Sequence, residues 1–252
     1  MQRIEKEGIE WLEFDLLADI PGLQHGVLLR RGGYSKGPFK SMNICIDVGD
    51  DASHVSANLT RVHDVLFPNV EKIISAKQCH GASIACVDAH SYSEWVNYDA
   101  LMTSTPNISL LIKHADCQAA IFYDPEHHVL ANVHAGWRGQ VQNIYAETNR
   151  QMGRAYGTRP AELLVCISPS LGPDDAEFIN YHQELPEEFW SYQVKPTYFD
   201  LWAIAEVQLQ SAGILPHHIE IARISTYSNH LDYFSYRRDR VTGRHGTFVN
   251  LL

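Results

Sequence analysis

Three apolar stretches of the sequence each run into a side chain that can bind a soft or borderline metal ion. The stretches SAKQCHG, LLIKHADC and LANVHAG present His80, Cys117 and His134. Two histidines and one cysteine are a known ligand set of catalytic zinc, which leaves a fourth position open for water or substrate. The same residue types also suit a cysteine nucleophile with a histidine base. The three residues are far apart in the sequence, so only the fold can build either site.

Glycines and an arginine surround these residues. Gly81 and Gly136 follow the two histidines, and glycine allows a ligand to approach the backbone closely. The segment GQVQNIYAETNRQMG, which follows the HAGWR corner, could begin a helix whose first N–H groups face Arg138 and His134. A helix N-terminus beside an arginine favours phosphate or another anion.

The elements that must position these residues are apolar runs and two amphipathic segments. Apolar runs rich in β-branched residues and leucine predict strands over residues 23–31, 72–81, 108–117, 128–136 and 162–173. Helical spacing predicts helices over residues 54–67 and 200–213, the second capped by Asp200. The glycines of residues 32–41 predict a loop with positive φ angles. Strands and helices mix without strict alternation, and no linker divides the chain. We therefore predict one α+β or mixed-sheet α/β domain over residues 1–252.

The composition limits the classes of function. The chain has 252 residues and a formal net charge of -10, which argues against generic nucleic-acid binding. The charged N-terminus does not fit a secretory signal, and no apolar run approaches membrane-spanning length. We expect a cytoplasmic protein without membrane association. The five cysteines form no CxxC pair, so a disulfide framework is not expected.

Several long motifs, in the right order, resemble the bacterial YfiH-like family, often labelled multicopper polyphenol oxidase or laccase-domain proteins. Residues 78–81 read QCHG, residues 115–117 read ADC and residues 134–139 read HAGWRG. Residues 30–43 are similar to the family's RxGGxSxGxxxSLN loop, and residues 233–248 to its FFSYRRDxxTGR segment. The resemblance spans nearly the whole chain.

The sequence departs from the family pattern at three places. Gln118 and Ala119 follow the cysteine where ADCxP is common, and Asp174 and Asp175 stand where small or cysteine residues are common. Ser225-Thr226 replaces a frequent CT pair. These departures leave the three possible ligands in place and bear on substrate preference.

The resemblance implies a mixed α/β sandwich flanked by helices, related in shape to certain cysteine hydrolases. It also implies a metal, usually zinc, bound by His80, Cys117 and His134, with copper as the older assignment. Family members are described as purine nucleoside phosphorylases acting on adenosine, inosine, guanosine and methylthioadenosine, with accompanying adenosine deamination. Other members are linked to editing of peptidoglycan precursors.

Phosphorolysis of a purine nucleoside needs an anion site, a polar pocket and stabilisation of charge on the departing base. Candidate anion ligands are Arg30, Lys77 and Arg138. Ser41 and Asn43 could bind ribose or base, and Arg237 and Arg238 could close over the ligand. For deamination, zinc with an open position would activate water. Asp116 is a candidate proton shuttle beside the candidate catalytic residues His80, Cys117 and His134.

Three other functions stay open at this level. Multicopper oxidases use repeated His-x-His pairs, and none of the fourteen histidines lies two residues from another, although copper binds such ligands tightly. Cys117 could instead hydrolyse an amide with His80 or His134 as base. A metal-binding or partner-binding module without catalysis is the third alternative.

Overall fold

Apolar strands make up most of the core and assemble into two mixed β-sheets. The computed structural model describes residues 1–252. The strands are β1 (Gln2–Lys6), β2 (Ile9–Glu13), β3 (Leu23–Leu28), β4 (Lys72–Lys77), β5 (Ile84–Cys86), β6 (Glu94–Val96), β7 (Ala100–Thr103), β8 (Ile108–His114), β9 (Gln118–Asp124), β10 (Val129–Ala135), β11 (Leu164–Ile167), β12 (Gln193–Lys195), β13 (Tyr198–Phe199), β14 (Ile219–Ile221) and β15 (His245–Leu251).

Helices connect and cover these strands. They are α1 (Asp15–Ala18), α2 (Ala52–Leu66), α3 (Trp137–Val141), α4 (Ile144–Tyr156), α5 (Tyr181–Glu184), α6 (Leu201–Ser211) and α7 (Tyr236–Asp239). None of them combines the length and the apolar character that crossing a membrane would require.

Both large sheets mix parallel and antiparallel pairs. The seven-stranded sheet has the order β1-β2-β3-β15-β8-β4-β6, and its β4 pairs in parallel with both β6 and β8. The six-stranded sheet has the order β14-β11-β9-β10-β7-β5, with antiparallel pairs at its centre and parallel pairs at both edges. A third sheet contains only β12 and β13.

The two large sheets pack face to face, and helices on their outer faces complete four layers. Leu110 of β8 and Val249 of β15 belong to the same apolar cluster as Ile121 and Leu130 of the other sheet. Neighbouring residues on a strand point to the opposite face. The sheets therefore pack against each other through one face and leave the other face for helices.

The outer faces are covered by the three longest helices. Phe248 of the seven-stranded sheet clusters with Val62 and Leu66 of α2. On the other side, α4 and α6 cover the six-stranded sheet, and their buried residues cluster with Phe122 and Val133. This arrangement is the mixed α/β architecture with helices on both sides that the sequence predicts.

Most predicted elements are confirmed, with shifted ends. The five predicted strands contain β3, β4, β8, β10 and β11. The predicted helix over 54–67 corresponds to α2, which Asp51 caps, and the predicted helix over 200–213 to α6. The Gly32 backbone has the expected positive φ, +83°, and an added Cβ would collide with the Gly8 carbonyl oxygen.

The segment after the HAGWR corner is helical, as the sequence indicates, but it is divided into two helices, α3 and α4. Helix α3 begins at Trp137, before the predicted start, and the helical conformation is interrupted at Asn143 before α4 begins. The φ of Asn143 is +53°, and its side chain accepts a hydrogen bond from the Ala146 N–H to cap α4. Arg138 therefore lies within the five-residue helix α3 and not in front of a helix N-terminus.

Candidate metal centre and its two cavities

The fold brings His80, Cys117 and His134 together. One nitrogen of each histidine and the sulfur of Cys117 lie within 4.8 Å of one another. His134 lies on β10, whereas His80 follows β4 in a loop. Cys117 lies in the short link between β8 and β9, where the chain crosses from one sheet to the other. Asp116 has a φ of +85° in this link, so the crossing is tight.

A buried carboxylate that the sequence analysis did not single out connects two of these residues. Asp99 is fully buried, and its Oδ1 accepts hydrogen bonds from His134 Nδ1 at 2.8 Å and from the His80 N–H at 2.9 Å. Its Oδ2 accepts from the Gly81 N–H at 2.8 Å and from Cys79 Sγ at 3.1 Å. One side chain therefore holds both histidine-bearing segments.

The charges of this group favour a thiolate. Burial alone would raise the pKa of Cys117, but the neighbouring His134 and His80 lower it to about 6. Burial alone would lower the pKa of His134, but Cys117 and Asp99 raise it to about 9. Burial would likewise raise the pKa of Asp99, and its hydrogen bonds from His134 and Cys79 hold that pKa at about 2. The thiolate is the form of cysteine that binds metals.

Gly136 is the residue that lets the three side chains approach. A Cβ added at Gly136 would lie 2.7 Å from His80 Cδ2 and 3.2 Å from Cys117 Sγ. Its φ of -71° is open to any residue, so glycine is required here for space and not for backbone conformation. Two imidazoles and a thiolate in this cradle fit the donor set of a single metal ion.

Two cavities open on this group from different sides. The first, of about 240 Å³, is called here the aromatic cavity and has Trp137, Phe178 and Leu171 in its wall. The second, of about 530 Å³, is called here the basic cavity and is lined by polar groups that include Lys77, Lys113 and Arg244. The residues that line both are His80, Ala115, Cys117, Arg138 and Tyr236.

Comparison with known proteins places this chain among relatives of one architecture. Residues 24–252 match the family described as multi-copper polyphenol oxidoreductase laccase. The chain belongs to this family. The protein named purine nucleoside phosphorylase from Bacteroides thetaiotaomicron is 30% identical over 247 residues, which cover 90% of each chain. Purine nucleoside phosphorylase YlmD from Geobacillus stearothermophilus is 31% identical over 246 residues, again 90% of each.

Solved structures agree with the sequence comparison. The hypothetical protein YfiH from Bacillus licheniformis superposes with a TM-score of 0.88 at 26% identity, covering 98% of each chain. The structure of YlmD from Geobacillus stearothermophilus gives a TM-score of 0.86 at 28% identity, covering 98% of this chain and 97% of that one. The resemblance to YfiH-like proteins is thereby confirmed.

In this family member, three of the predicted substrate-binding side chains line the cavities. Arg138 lines both, with its guanidinium carbon 4.2 Å from the centre of the Trp137 ring. Arg237 lines the aromatic cavity, although its Nη1 donates to the Glu177 carbonyl. Lys77 lines the basic cavity and forms an ion pair with Asp47 at 3.2 Å.

The polar atoms of the other four predicted ligand-binding residues form hydrogen bonds with carbonyl and amide groups of the protein's own loops. Arg30 donates to the carbonyls of Lys40, His230 and Tyr233, and Arg238 to those of Thr226, Tyr227 and Tyr233. Asn43 bonds to Cys45, Asp50 and Arg244, and Ser41 to Arg30 and Gly33. None of these four residues lines either cavity. In this structure these four side chains hold the loops around the site, and their contact with substrate stays a prediction.

Asp116 also has structural partners. Its Oδ1 accepts from Thr226 Oγ1 at 2.8 Å and its Oδ2 from the Arg237 N–H at 2.6 Å. The carboxylate thus ties the link that carries Cys117 to the C-terminal segment. Two departures from the family pattern contact each other nearby, since Ser225 Oγ donates to Asp175 Oδ2 at 2.6 Å.

The structure adds two arginines that are not among the predicted site residues. Arg240 lines the aromatic cavity and Arg244 the basic one, on either side of Tyr236. Their guanidinium carbons lie 5.6 and 5.7 Å from the Tyr236 ring centre. The density of arginines in residues 237–244 is the sequence signal that points to them.

Proposed function

We propose that this chain is a zinc-dependent purine nucleoside phosphorylase that accepts adenosine, inosine, guanosine or methylthioadenosine. The observation that carries this proposal is the convergence of His80, Cys117 and His134 where an aromatic and a basic cavity meet. The names of the relatives support the reaction class. Adenosine deamination is proposed as an accompanying activity, and zinc is proposed over copper on the donor set.

The two cavities suit the two substrates. Trp137 and Phe178, whose ring centres lie 6.0 Å apart, offer an apolar wall against which a purine can pack. Phosphate needs cationic donors, and Arg138 and Arg244 supply them from the basic cavity. Because Arg138 lines both cavities, it can hold phosphate next to the bound nucleoside. Neither arginine belongs to the ion pairs that other arginines of the chain form.

Phosphorolysis joins a phosphate oxygen to the ribose C1′ and breaks the glycosidic C–N bond. The bonding electron pair leaves with the purine, which takes up a proton, and the products are the free base and ribose 1-phosphate, or 5-methylthioribose 1-phosphate from methylthioadenosine. Arg138 would hold the phosphate in position, and such positioning of reactants lowers the activation barrier of a displacement. Zinc held by His80, Cys117 and His134 would supply Lewis-acid chemistry at the junction of the cavities.

The test is a screen of the pure, untagged protein against the four nucleosides with and without phosphate. We expect free base and the corresponding sugar 1-phosphate only when phosphate is present, with about one zinc ion per chain by elemental analysis. Inosine formed from adenosine would measure the deaminase activity. Release of base at the same rate without phosphate would contradict phosphorolysis, and copper in place of zinc would correct the metal.

One observation favours a second candidate, an amidohydrolase with Cys117 as nucleophile. Cys117 lies beside His134, and His134 Nδ1 is hydrogen-bonded to Asp99, which is the order of contacts in cysteine–histidine–carboxylate triads. The lowered pKa of Cys117 agrees with that role. This activity would need neither phosphate nor metal, so activity that survives a chelator and phosphate removal would select it.

A further inference from the structure

We propose that Asp99 is the positioning residue of the metal centre, because it fixes two of the three ligands at once. The role rests on the proposed metal site and adds to it a residue outside the ligand set. Asp99 immediately precedes β7, which pairs with the strand that carries His134, and its backbone carbonyl accepts the His134 N–H at 2.6 Å. Backbone and side chain of the same residue therefore both bind His134.

The side-chain contact decides which nitrogen of His134 faces Cys117. Nδ1 is bonded to Asp99 Oδ1 at 2.8 Å, so Nε2 is the nitrogen left for a metal ion. In metalloproteins, a partner on the far nitrogen of a ligand histidine fixes the ring orientation and raises its basicity. Removing such a partner typically weakens metal binding about 10- to 100-fold.

The same carboxylate also holds the loop that carries His80. It accepts the N–H groups of His80, Gly81 and Cys79, at 2.9, 2.8 and 3.3 Å. The φ of His80 is +62°, a conformation that few non-glycine residues adopt, so the loop needs such anchors. Every partner of the Asp99 carboxylate is a donor, and an asparagine amide therefore cannot replace all of its contacts.

The chain offers a matched control in Asp124. Asp124 is also fully buried, and its Oδ2 bonds to His127 Nδ1 at 2.9 Å. Its Oδ1 accepts the N–H groups of Glu126 and His127 at 2.9 and 3.1 Å. Both aspartates therefore hold a histidine and backbone amides, but Asp124 contacts no residue of the metal centre.

The experiment compares Asp99→Asn with Asp124→Asn in the full chain, using Zn²⁺ competition against a chelator and thermal unfolding of the metal-free proteins. We expect Asp99→Asn to bind Zn²⁺ about 10- to 100-fold more weakly and Asp124→Asn to stay within about threefold of wild type, at similar melting temperatures. Unchanged Zn²⁺ affinity in Asp99→Asn, or an equal loss in Asp124→Asn, would overturn the proposal. Wild-type protein that binds no Zn²⁺ would refute the metal site itself.

A measurement on the wild type decides the matter where Asp99→Asn does not fold. Nitrogen-15 spectra of histidine-labelled, Zn²⁺-loaded protein report which ring nitrogen carries the proton. We expect His134 to keep a proton on Nδ1 and to bind Zn²⁺ through Nε2. Zn²⁺ bound through Nδ1, or a freely exchanging Nδ1 proton, would refute the contact with Asp99.

Discussion

Replacing Gly136 with alanine should weaken metal binding with little change in stability. The added Cβ would lie 2.7 Å from His80 Cδ2, whereas carbon atoms normally pack about 3.5–4.0 Å apart. The His80 ring must therefore move by roughly 0.8 Å or more. Ligand distances in metal sites tolerate only about 0.2 Å, so His80 would leave the coordination geometry.

The small effect on stability follows from exposure and backbone geometry. His80 is exposed, so its ring can turn toward solvent without opening the core. The φ of -71° and ψ of 168° at Gly136 suit alanine, which also restricts the unfolded chain. We expect Zn²⁺ affinity to fall roughly 10- to 100-fold, as for other disturbed metal sites, and activity to fall with it.

Gly81→Ala is the control, because Gly81 also adjoins the centre but has room for a methyl group. Its nearest neighbours would be Cys79 Sγ at 3.4 Å and Asp99 Oδ2 at 3.5 Å, which are ordinary contacts. Zn²⁺ competition and thermal unfolding of both variants give the comparison. Wild-type Zn²⁺ affinity in Gly136→Ala, or an equal loss in Gly81→Ala, would show that the steric argument is wrong.

Further predictions concern the thiol, a buried histidine and a helix cap. Cys117→Ser should lose both Zn²⁺ and activity, because a neutral hydroxyl binds zinc weakly. Chelation of the wild type should expose the Cys117 thiolate to alkylation. Full Zn²⁺ content in an inactive Cys117→Ser variant would favour the hydrolase. Burial lowers the pKa of His25 from 6.5 to about 4, so the folded protein favours the neutral imidazole. The free energy of unfolding should therefore decrease as the pH falls from 6.5 toward 4. This loss amounts to about 3 kcal/mol, and His25→Gln should flatten that part of the pH dependence in denaturant unfolding. Asp200 caps α6 through the Trp202 and Ala203 N–H groups, so Asp200→Ala should cost about 1 kcal/mol and lower the melting temperature by about 2–4 °C; an unchanged midpoint would show that the cap contributes nothing.

The local sequence determined the strands β3, β4, β8, β10 and β11 and the helices α2 and α6. Apolar runs such as ISLLIKH and VLANVHA have no stable alternative to a buried strand, and the spacing of Val55, Val62 and Leu66 is satisfied only by a helix with one buried face. The other ten strands were not predicted, and they include the fully buried β9. β1 has a single apolar residue, Ile4, and lies at a sheet edge, and the segment 233–248 carries a motif within which β15 begins, in the seven-stranded sheet.

The sequence also determined which residues could form the centre, because few side chains bind metals and three of them ended apolar runs. Only the tertiary structure decided that His80, Cys117 and His134 meet, since they lie on separate segments that two packed sheets bring within 4.8 Å. Asp99 could not be found from the sequence, because its importance lies in hydrogen bonds to residues distant in the chain. The same reason applies to Arg30, because only the folded loops show which carbonyl oxygens accept its hydrogen bonds.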